Sequence, residues 1–366
     1  MHILMTTDCV GGVFVYSMEL SRELLARGHS VTLAVLGGPL TRGQRVELQR
    51  MPQLEVEELP GALEWMDGPW HDVAATGHRL LGIAERVRPD CVHLNEYAHG
   101  ALPWPAPVLM VGHSCVLSWW RAVKGEAAPE RYRRYREVVR RGIAGAERII
   151  APSRAMLTQI SRLYGPLPAS LVIPNGIELR AFRPEDKSPL ILSAGRLWDE
   201  AKNASALAAV GPRLSWPVYV AGNNEAPHGR GADVTGCELL GPLSRPQLAA
   251  VLARASIYAL PARYEPFGLS ILEAAASGCA LVLGRVPSLL EHWRDVAYFV
   301  DPDDLDALRH TLEKLIADPE QRSALGRRAH AHAQLFGAQR MAAAYEREYL
   351  DLRRAWRAKE PVQCAS

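Results

Sequence analysis

Short apolar runs alternate with longer amphipathic stretches twice along this chain, and that alternation admits little besides parallel sheets covered by helices. The first series holds Ile3-Leu4-Met5, Val31 to Leu36, Cys91-Val92-His93-Leu94, Val108 to Val111 and Arg148-Ile149-Ile150. The second holds Leu190-Ile191-Leu192, Pro217 to Val220, Glu238-Leu239-Leu240, Ile257 to Leu260, Ala280 to Leu283 and Ala297 to Val300. Between the first two runs, Val13, Tyr16, Leu20 and Leu24 share one helix face, and Gly28 ends that helix. Ile173-Pro174-Asn175-Gly176 and then Phe182-Arg183-Pro184 carry the proline and Asn-Gly chemistry of a linker. The expected division is therefore a first α/β domain over 1–174, a second over 175–342, and a last helix over 343–366. That helix presents Tyr345, Tyr349, Leu352 and Trp356 as one apolar stripe after the second sheet is complete, so it is expected to pack back on the first domain.

With 366 residues, 48% of them hydrophobic, the chain can build two cores. A formal net charge of +2 lacks the electrostatic footprint of a nucleic-acid binder. Cys9, Cys91, Cys115, Cys237, Cys279 and Cys364 have no paired spacing, so they read as reduced thiols rather than a disulfide framework or a zinc site. No charged leader precedes His2-Ile3-Leu4-Met5 and no run of 18 apolar residues occurs, so the expected location is the cytoplasm. One basic stretch, Arg131-Tyr132-Arg133-Arg134-Tyr135-Arg136 with Arg140 and Arg141, reads as a helix with Tyr132, Tyr135 and Val139 inward. Its outer face is either plainly solvated or a weak peripheral contact with the inner face of a membrane.

In open parallel sheets ligands sit beyond the carboxyl ends of strands, so the residues following each run carry the chemistry. The most informative is Glu265-Pro266-Phe267-Gly268-Leu269-Ser270-Ile271-Leu272-Glu273, a turn that opens a helix stopped by Gly278. The first N–H groups of a helix lack internal partners, so the amides near Phe267, Gly268 and Leu269 suit a phosphate. Glu265 and Glu273 suit paired O–H groups of a sugar or ribose. Ser270-x-x-Glu273 is also the pattern of a capping box, which would leave Glu273 structural. After the first run of the second series comes Gly195-Arg196-Leu197-Trp198-Asp199-Glu200-Ala201-Lys202. Arg196 and Lys202 can converge on a diphosphate, or they are solvated cations paired with Asp199 and Glu200. After the very first run, Asp8-Cys9-Val10-Gly11-Gly12 allows a tight turn and close ligand approach. Neither G-x-G-x-x-G there nor G-x-x-x-x-G-K-[ST] anywhere occurs, which removes support for dinucleotide and P-loop readings.

Together these loops resemble those of glycosyltransferase family 4, retaining enzymes of the GT-B fold, over nearly the whole chain. The matching stretches are Gly195-Arg196-Leu197 with Lys202, Glu265 through Glu273, Phe299-Val300-Asp301-Pro302-Asp303-Asp304, Ile173-Pro174-Asn175-Gly176, Gly11-Gly12, Gly28-His29-Ser30-Val31 and Ala151-Pro152-Ser153. The resemblance implies two Rossmann-like domains facing a cleft, with the nucleotide-sugar on the second and the acceptor mainly on the first. It implies that Arg196 and Lys202 hold the donor diphosphate, Glu265 the sugar hydroxyls and Glu273 the ribose, while Phe267, Gly268 and Leu269 offer amides. Gly11 and Gly12 would close the phosphate side, and His113, in Val111-Gly112-His113-Ser114, would lie near the sugar ring. The implied chemistry is transfer of a hexose-type sugar by front-face displacement, in which the departing phosphate accepts the acceptor's proton and charge is stabilised by preorganised groups.

Departures from the family pattern are the absence of proline in Gly278-Cys279-Ala280-Leu281-Val282 and one extra residue between Arg196 and Lys202. No cofactor and no metal is expected. Asp301-Pro302-Asp303-Asp304 reads as a strand exit and helix cap, and His93, Asn95, Glu96, His99 and His113 match no zinc spacing. A UDP-sugar is the expected donor. The acceptor is a hydroxyl-bearing saccharide, lipid-linked or small molecule, with Trp119 and Trp120 as its expected wall and Trp65, Trp70, Tyr97 and Trp104 as further aromatics. Gly222-Asn223-Asn224 and Gly241-Pro242-Leu243 are placed at the base. A sugar-nucleotide epimerase of the same fold and a non-catalytic nucleotide-sugar-binding protein are the rival readings.

Overall fold

The computed structural model describes residues 1–225 and 231–359; Cys364 and the 360–366 end of the expected last helix lie outside the described residues. The chain forms two compact units. One comprises Met1–Ser118, Ala127–Pro174 and the chain from Ala338 onward, and the other comprises Trp119–Glu126 and Asn175–Gly337.

The first unit's strands are β1 (His2–Asp8), β2 (Ser30–Gly37), β3 (Glu55–Pro60), β4 (Cys91–Leu94), β5 (Val108–Val111), β6 (Arg148–Ala151) and β7 (Ser170–Val172). They form one parallel sheet ordered β3-β2-β1-β4-β5-β6-β7. Helices α1 (Gly12–Ala26), α2 (Arg42–Gln49), α3 (Trp70–Val87), α4 (Val116–Lys124), α5 (Arg133–Gly145) and α6 (Arg154–Tyr164) connect them, and the division between units falls within α4. Ile3, Leu4 and Met5 of β1 are fully buried, as a strand covered on both faces must be. The edge strands β3 and β7 escape the apolar pattern because an edge needs less of it. Glu55 and Glu57 of β3 are both bridged by Arg86 at the surface, and β7 is three residues long.

In the second unit β8 (Ser188–Ala194), β9 (Val218–Ala221), β10 (Glu238–Gly241), β11 (Ala255–Leu260), β12 (Ala280–Gly284) and β13 (Ala297–Val300) form a parallel sheet ordered β10-β9-β8-β11-β12-β13. Its helices are α7 (Ala204–Val210), α8 (Arg245–Arg254), α9 (Leu269–Ala276), α10 (Pro287–Trp293), α11 (Leu305–Ala317) and α12 (Pro319–Ala333). Lys187 ties two of them down. Its ammonium donates to the carbonyls of Leu252 and Ala253 at the end of α8, at 3.3 and 2.8 Å, and to that of Ser277 after α9 at 2.6 Å. A cation at two helix C-termini satisfies orphan carbonyls and meets the negative ends of both dipoles.

The last helix, α13 (Ala338–Arg357), belongs to the first unit, where it packs on α1 and β4. Tyr345 and Tyr349 are fully buried there, and Glu346 accepts from Arg27 and pairs with His29, both at 2.9 Å. The basic stretch also differs from expectation in detail. Tyr132 lies in a 3-10 turn before α5, so the buried face is Tyr135, Val139, Gly142 and Ile143, with the arginines outward. Among the described residues no helix is long and apolar enough to cross a membrane.

Candidate active site

Strand order fixes where a ligand can enter each sheet. In the second unit the chain runs from β8 to β9 and β10 on one side and to β11, β12 and β13 on the other, so the crevice between β8 and β11 is the topological switch point. The loop carrying Arg196 leaves β8 and the loop carrying Glu265 leaves β11, which brings the two segments singled out by sequence to one place. Lys202 Nζ donates to Glu265 Oε2 at 2.5 Å across 63 positions of sequence. Arg196 instead pairs with Asp199 at 2.9 Å, and Glu200 pairs with Lys124 at 2.6 Å. The alternative of two cations neutralised by Asp199 and Glu200 therefore describes Arg196 but not Lys202. Asp199 also accepts from the Trp119 indole N–H at 2.9 Å and the Ala201 N–H at 3.0 Å. Burial alone would raise its pKa, but Arg196, Lys202 and those two donors hold it below the usual carboxylate range.

The loop after β11 is held from beneath. Ser288 Oγ donates to the carbonyl of Glu265, and the Tyr258 hydroxyl lies 2.8 Å from Ser270 Oγ and 3.1 Å from Ala194 O, linking β11 to the exit of β8 and to α9. Gly268 is the N-cap of α9 with φ +89°, and a Cβ there would lie 2.5 Å from Ile271 Cδ1. The capping-box reading of Ser270 and Glu273 fails, because Ser270 sits inside the helix and the cap position carries no side-chain bond. Ser288-x-x-Glu291 has the same local pattern of a capping box and is no cap either, since α10 starts at Pro287 with Val286 as N-cap. The first turn of α9 closes through the N–H groups of Ile271 and Leu272 on Gly268 O, both at 3.1 Å, which leaves Leu269 and Ser270 at the leading, positive end. Glu265 and Glu273 are only 8% and 6% exposed. Beyond β13 one of the aspartates, Asp304, is a helix cap as expected. Asp304 accepts from Ala307 N–H at 2.8 Å, and Asp303 pairs with Arg263.

Trp119 and Trp120, expected on the first domain, belong to the second unit, and the Trp119 indole donates to the carboxylate that also holds Arg196, so this residue supports the cation loop. Adjacent helix positions point in different directions, and Trp120 accordingly turns to Glu126 at 3.3 Å.

In the first unit the switch point lies between β1 and β4. Gly11, with φ +89°, caps α1 without any side chain, and Gly12 begins the helix, so both stand exposed at its N-terminus. A cavity of about 60 Å³ lies at the ends of β1 and β4, lined among others by Asp8, Glu64, Thr76, Asn95, Glu96 and His99. Neither lysine nor arginine lines it. His99 donates from Nε2 to Val73 O and from Nδ1 to Glu96, each at 2.9 Å; burial opposes its charge, but the Glu96 carboxylate prevails and raises its pKa. Glu64 accepts from the N–H groups of Tyr97 and Ala98. His113, half-buried, packs edge-on against Tyr16 with ring centroids 4.5 Å apart, and Nε2 lies 2.8 Å from Asn95 Oδ1. Sequence reasoning named Asn95, Glu96 and His99 only as unsuitable metal ligands and passed over Glu64 beside the more conspicuous Trp65. The signal available was position, since Asn95 and Glu96 directly follow β4. Among the described residues no three His, Cys, Asp or Glu side chains are grouped to hold a metal, and Cys9, Cys91, Cys115, Cys237 and Cys279 are free thiols.

Two buried groups make stability depend on pH in opposite senses. Loss of hydration, with the nearby His113, holds His93 down to about 3. Its contribution is complete above the ordinary histidine value and fades as pH falls from about 6.5 toward 3. Burial and the Glu96 charge push Glu64 up to about 7. Its contribution is complete below 4.5 and is lost as pH rises through 7. The two slopes cancel between about pH 4.5 and 6.5, so unfolding free energy is expected to stay level there and to fall above it; Glu64→Gln is expected to remove a loss on the order of 3 kcal/mol spread from pH 4.5 to 7, so that stability keeps rising to about pH 6.5 and then levels off. Urea titrations from pH 5 to pH 8 check this; equal alkaline slopes in both proteins would remove Glu64 as the cause.

The loops match known proteins over the same spans. The description "Glycosyltransferase Family 4" fits residues 10–181, and "Glycosyl transferases group 1" fits residues 177–332. Glycogen synthase of Mycobacterium tuberculosis is 29% identical over 400 aligned positions, covering 96% of this chain and 94% of that one. Sucrose-phosphate synthase from Thermosynechococcus elongatus superposes with a TM-score of 0.81 at 20% identity, covering 97% and 99% of the two chains. HepE from Anabaena, solved in complex with UDP-glucose, superposes with a TM-score of 0.75 at 16% identity over 96% and 100%. The two parallel sheets together with these likenesses show the GT-B fold.

Proposed function

Since the chain belongs to the family-4 glycosyltransferases, we propose that it transfers a hexose-type sugar from a UDP-sugar to a hydroxyl of an uncharged saccharide or polyol, with retention of anomeric configuration. The observation that carries the reading is the Lys202–Glu265 contact at the β8/β11 switch point, beside the leading end of α9. Lys202 and Arg196 are each held by a carboxylate, so the cations stand in place before a ligand arrives and little reorganisation is left for the reaction. A diphosphate takes Lys202 from Glu265, and the released carboxylate turns to the hydroxyls of the sugar. The α9 amides face the same anion, and Glu273, buried further along the helix, takes the ribose. As the glycosidic C–O bond breaks, Arg196 and Lys202 stabilise the charge gathering on the diphosphate. The departing phosphate oxygen accepts the proton of the incoming hydroxyl on the same face of the ring, and no metal is required by this scheme.

The uridine assignment is supported by the UDP-glucose complex of the HepE neighbour, and a saccharide acceptor by the glycogen synthase relative. Acceptor charge follows from the first unit's cavity. Its carboxylates accept O–H groups and repel phosphate, and about 60 Å³ admits one hydroxyl-bearing corner of a ring rather than the whole ring. The test is incubation with UDP-, GDP-, ADP- and TDP-glucose and a panel of neutral and phosphorylated saccharides, reading the product's anomeric coupling by proton NMR. Transfer from UDP-glucose to a neutral acceptor with retention is expected. Interconversion of the donor without an acceptor would instead indicate an epimerase, and an intact donor a binding protein.

A further inference from the structure

We propose that Asn95 is a positioning residue that locks His113 in the tautomer protonated at Nε2, leaving Nδ1 as a permanent hydrogen-bond acceptor. The argument starts from an atom whose role cannot be exchanged. The carbonyl of Thr6 only accepts, and it lies 2.7 Å from one terminal atom of the Asn95 side chain, so that atom is the amide nitrogen. The other terminal atom is then Oδ1, which carries no proton. It lies 2.8 Å from His113 Nε2, so the hydrogen between them comes from the histidine. The same oxygen lies 3.2 Å from His93 Nε2, which likewise donates. That leaves His93 Nδ1 to accept from the Tyr349 hydroxyl at 2.5 Å, and Tyr349 is fully buried on α13.

One direction of donation therefore runs from α13 through His93 to Asn95, with the amide anchored on β1. Asn95 cannot rotate to offer its nitrogen to His113 without losing Thr6 O and setting its oxygen against a carbonyl, at a cost of an unmade buried hydrogen bond. Thr6 Oγ1 also accepts the Asn95 backbone N–H at 3.0 Å, which fixes the main chain as well as the side chain. Among the described residues, the titratable groups that interact with His113 are Tyr16, through its ring edge, and His93, both uncharged. Nothing there rewards an imidazolium. His113 consequently meets a ligand as an acceptor at Nδ1, which selects a partner that brings a hydroxyl proton, such as a sugar O–H, over a bare anionic oxygen. The claim about the ligand rests on the proposed transferase reading; the tautomer does not.

Nitrogen-15 NMR of the full-length wild-type protein tests the tautomer, with the His113 signals assigned by their loss in His113→Gln. A pyrrole-like shift at Nε2 and a pyridine-like shift at Nδ1 are expected through neutral pH. The reverse pattern, or an imidazolium at pH 7, would overturn the proposal whether or not sugar transfer is found. Asn95→Asp supplies the second arm. A carboxylate in place of the amide favours the charged ring, so the His113 titration and the acidic limb of kcat/KM should both move up by about 1–3 pH units. Unchanged titration in a folded Asn95→Asp protein would also overturn it. If that variant fails to fold, the wild-type spectrum decides alone. Correct shifts with no transfer to any acceptor would sink the functional reading and leave the tautomer standing.

Discussion

Lys202→Ala is expected to lower kcat/KM for sugar transfer by about 10²–10³-fold, the usual loss on removing one preorganised donor from a developing charge. The effect on stability is separable. The lysine and its partner are 18% and 10% exposed at their side chains, so deleting the lysine strands a buried carboxylate at a cost of about 3 kcal/mol. Adding Glu265→Gln removes that stranded charge and should restore most of the melting temperature without restoring any activity. The pair is thus expected to be strongly non-additive in stability and jointly inactive in transfer. Arg196→Ala should be milder on stability, because its partner Asp199 keeps the Trp119 and Ala201 donors. Melting curves and initial rates on the three proteins check this set. Wild-type rates in Lys202→Ala would refute the diphosphate assignment outright.

The second large effect is expected from the smallest possible substitution, Gly222→Ala. Gly222 leaves β9 with φ +137°, a region that favours glycine, and a Cβ built there would lie 1.8 Å from the carbonyl oxygen of Gly195. No side-chain rotation relieves a clash with backbone, so the exit of β9 must move away from the exit of β8. Two hydrogen bonds hold those exits together, and a third ties the exit of β9 to the end of β10. Gly195 N–H donates to Ala221 O at 3.0 Å, Leu197 N–H to Asn223 O at 2.9 Å and Gly222 N–H to Gly241 O at 2.8 Å. Strain plus partial loss of this set is expected to cost about 3 kcal/mol or more. Because Arg196 follows Gly195 directly, whatever variant folds should also bind nucleotide poorly. A Gly222→Ala protein with wild-type unfolding free energy and nucleotide affinity would show that the strand exits are looser than described.

How far the chain could be read in advance depends on which interactions are local. Every strand of the second sheet stood out because β8 to β13 are short apolar or half-apolar runs bounded by turn residues, and buried parallel strands leave that mark. In the first sheet β3 did not, since an edge strand rich in glutamate satisfies itself with Arg86 and water. Side-chain roles divide the same way. Gly268 and the aspartate cap of α11 were legible from neighbouring residues. The partnership of Lys202 with Glu265 was not, because nothing near either residue says which distant carboxylate will arrive. Ser270 and Ser288 show the opposite failure. Each has the local pattern of a capping box, yet tertiary structure turns one toward Tyr258 and the other beneath Glu265. The placing of Trp119 was illegible for a similar reason, since the chain up to Ser118 and again from Ala127 belongs to the first unit, while Trp119 sits with Asp199 in the second.

The most direct measurement is calorimetric titration of UDP into the wild-type protein and into Lys202→Ala. Binding to the wild type that weakens by at least about tenfold in the variant, a loss of about 1.4 kcal/mol, is the predicted result. Absence of binding to the wild type, or equal affinity in both proteins, would contradict the claim that the crevice between β8 and β11 holds the donor diphosphate.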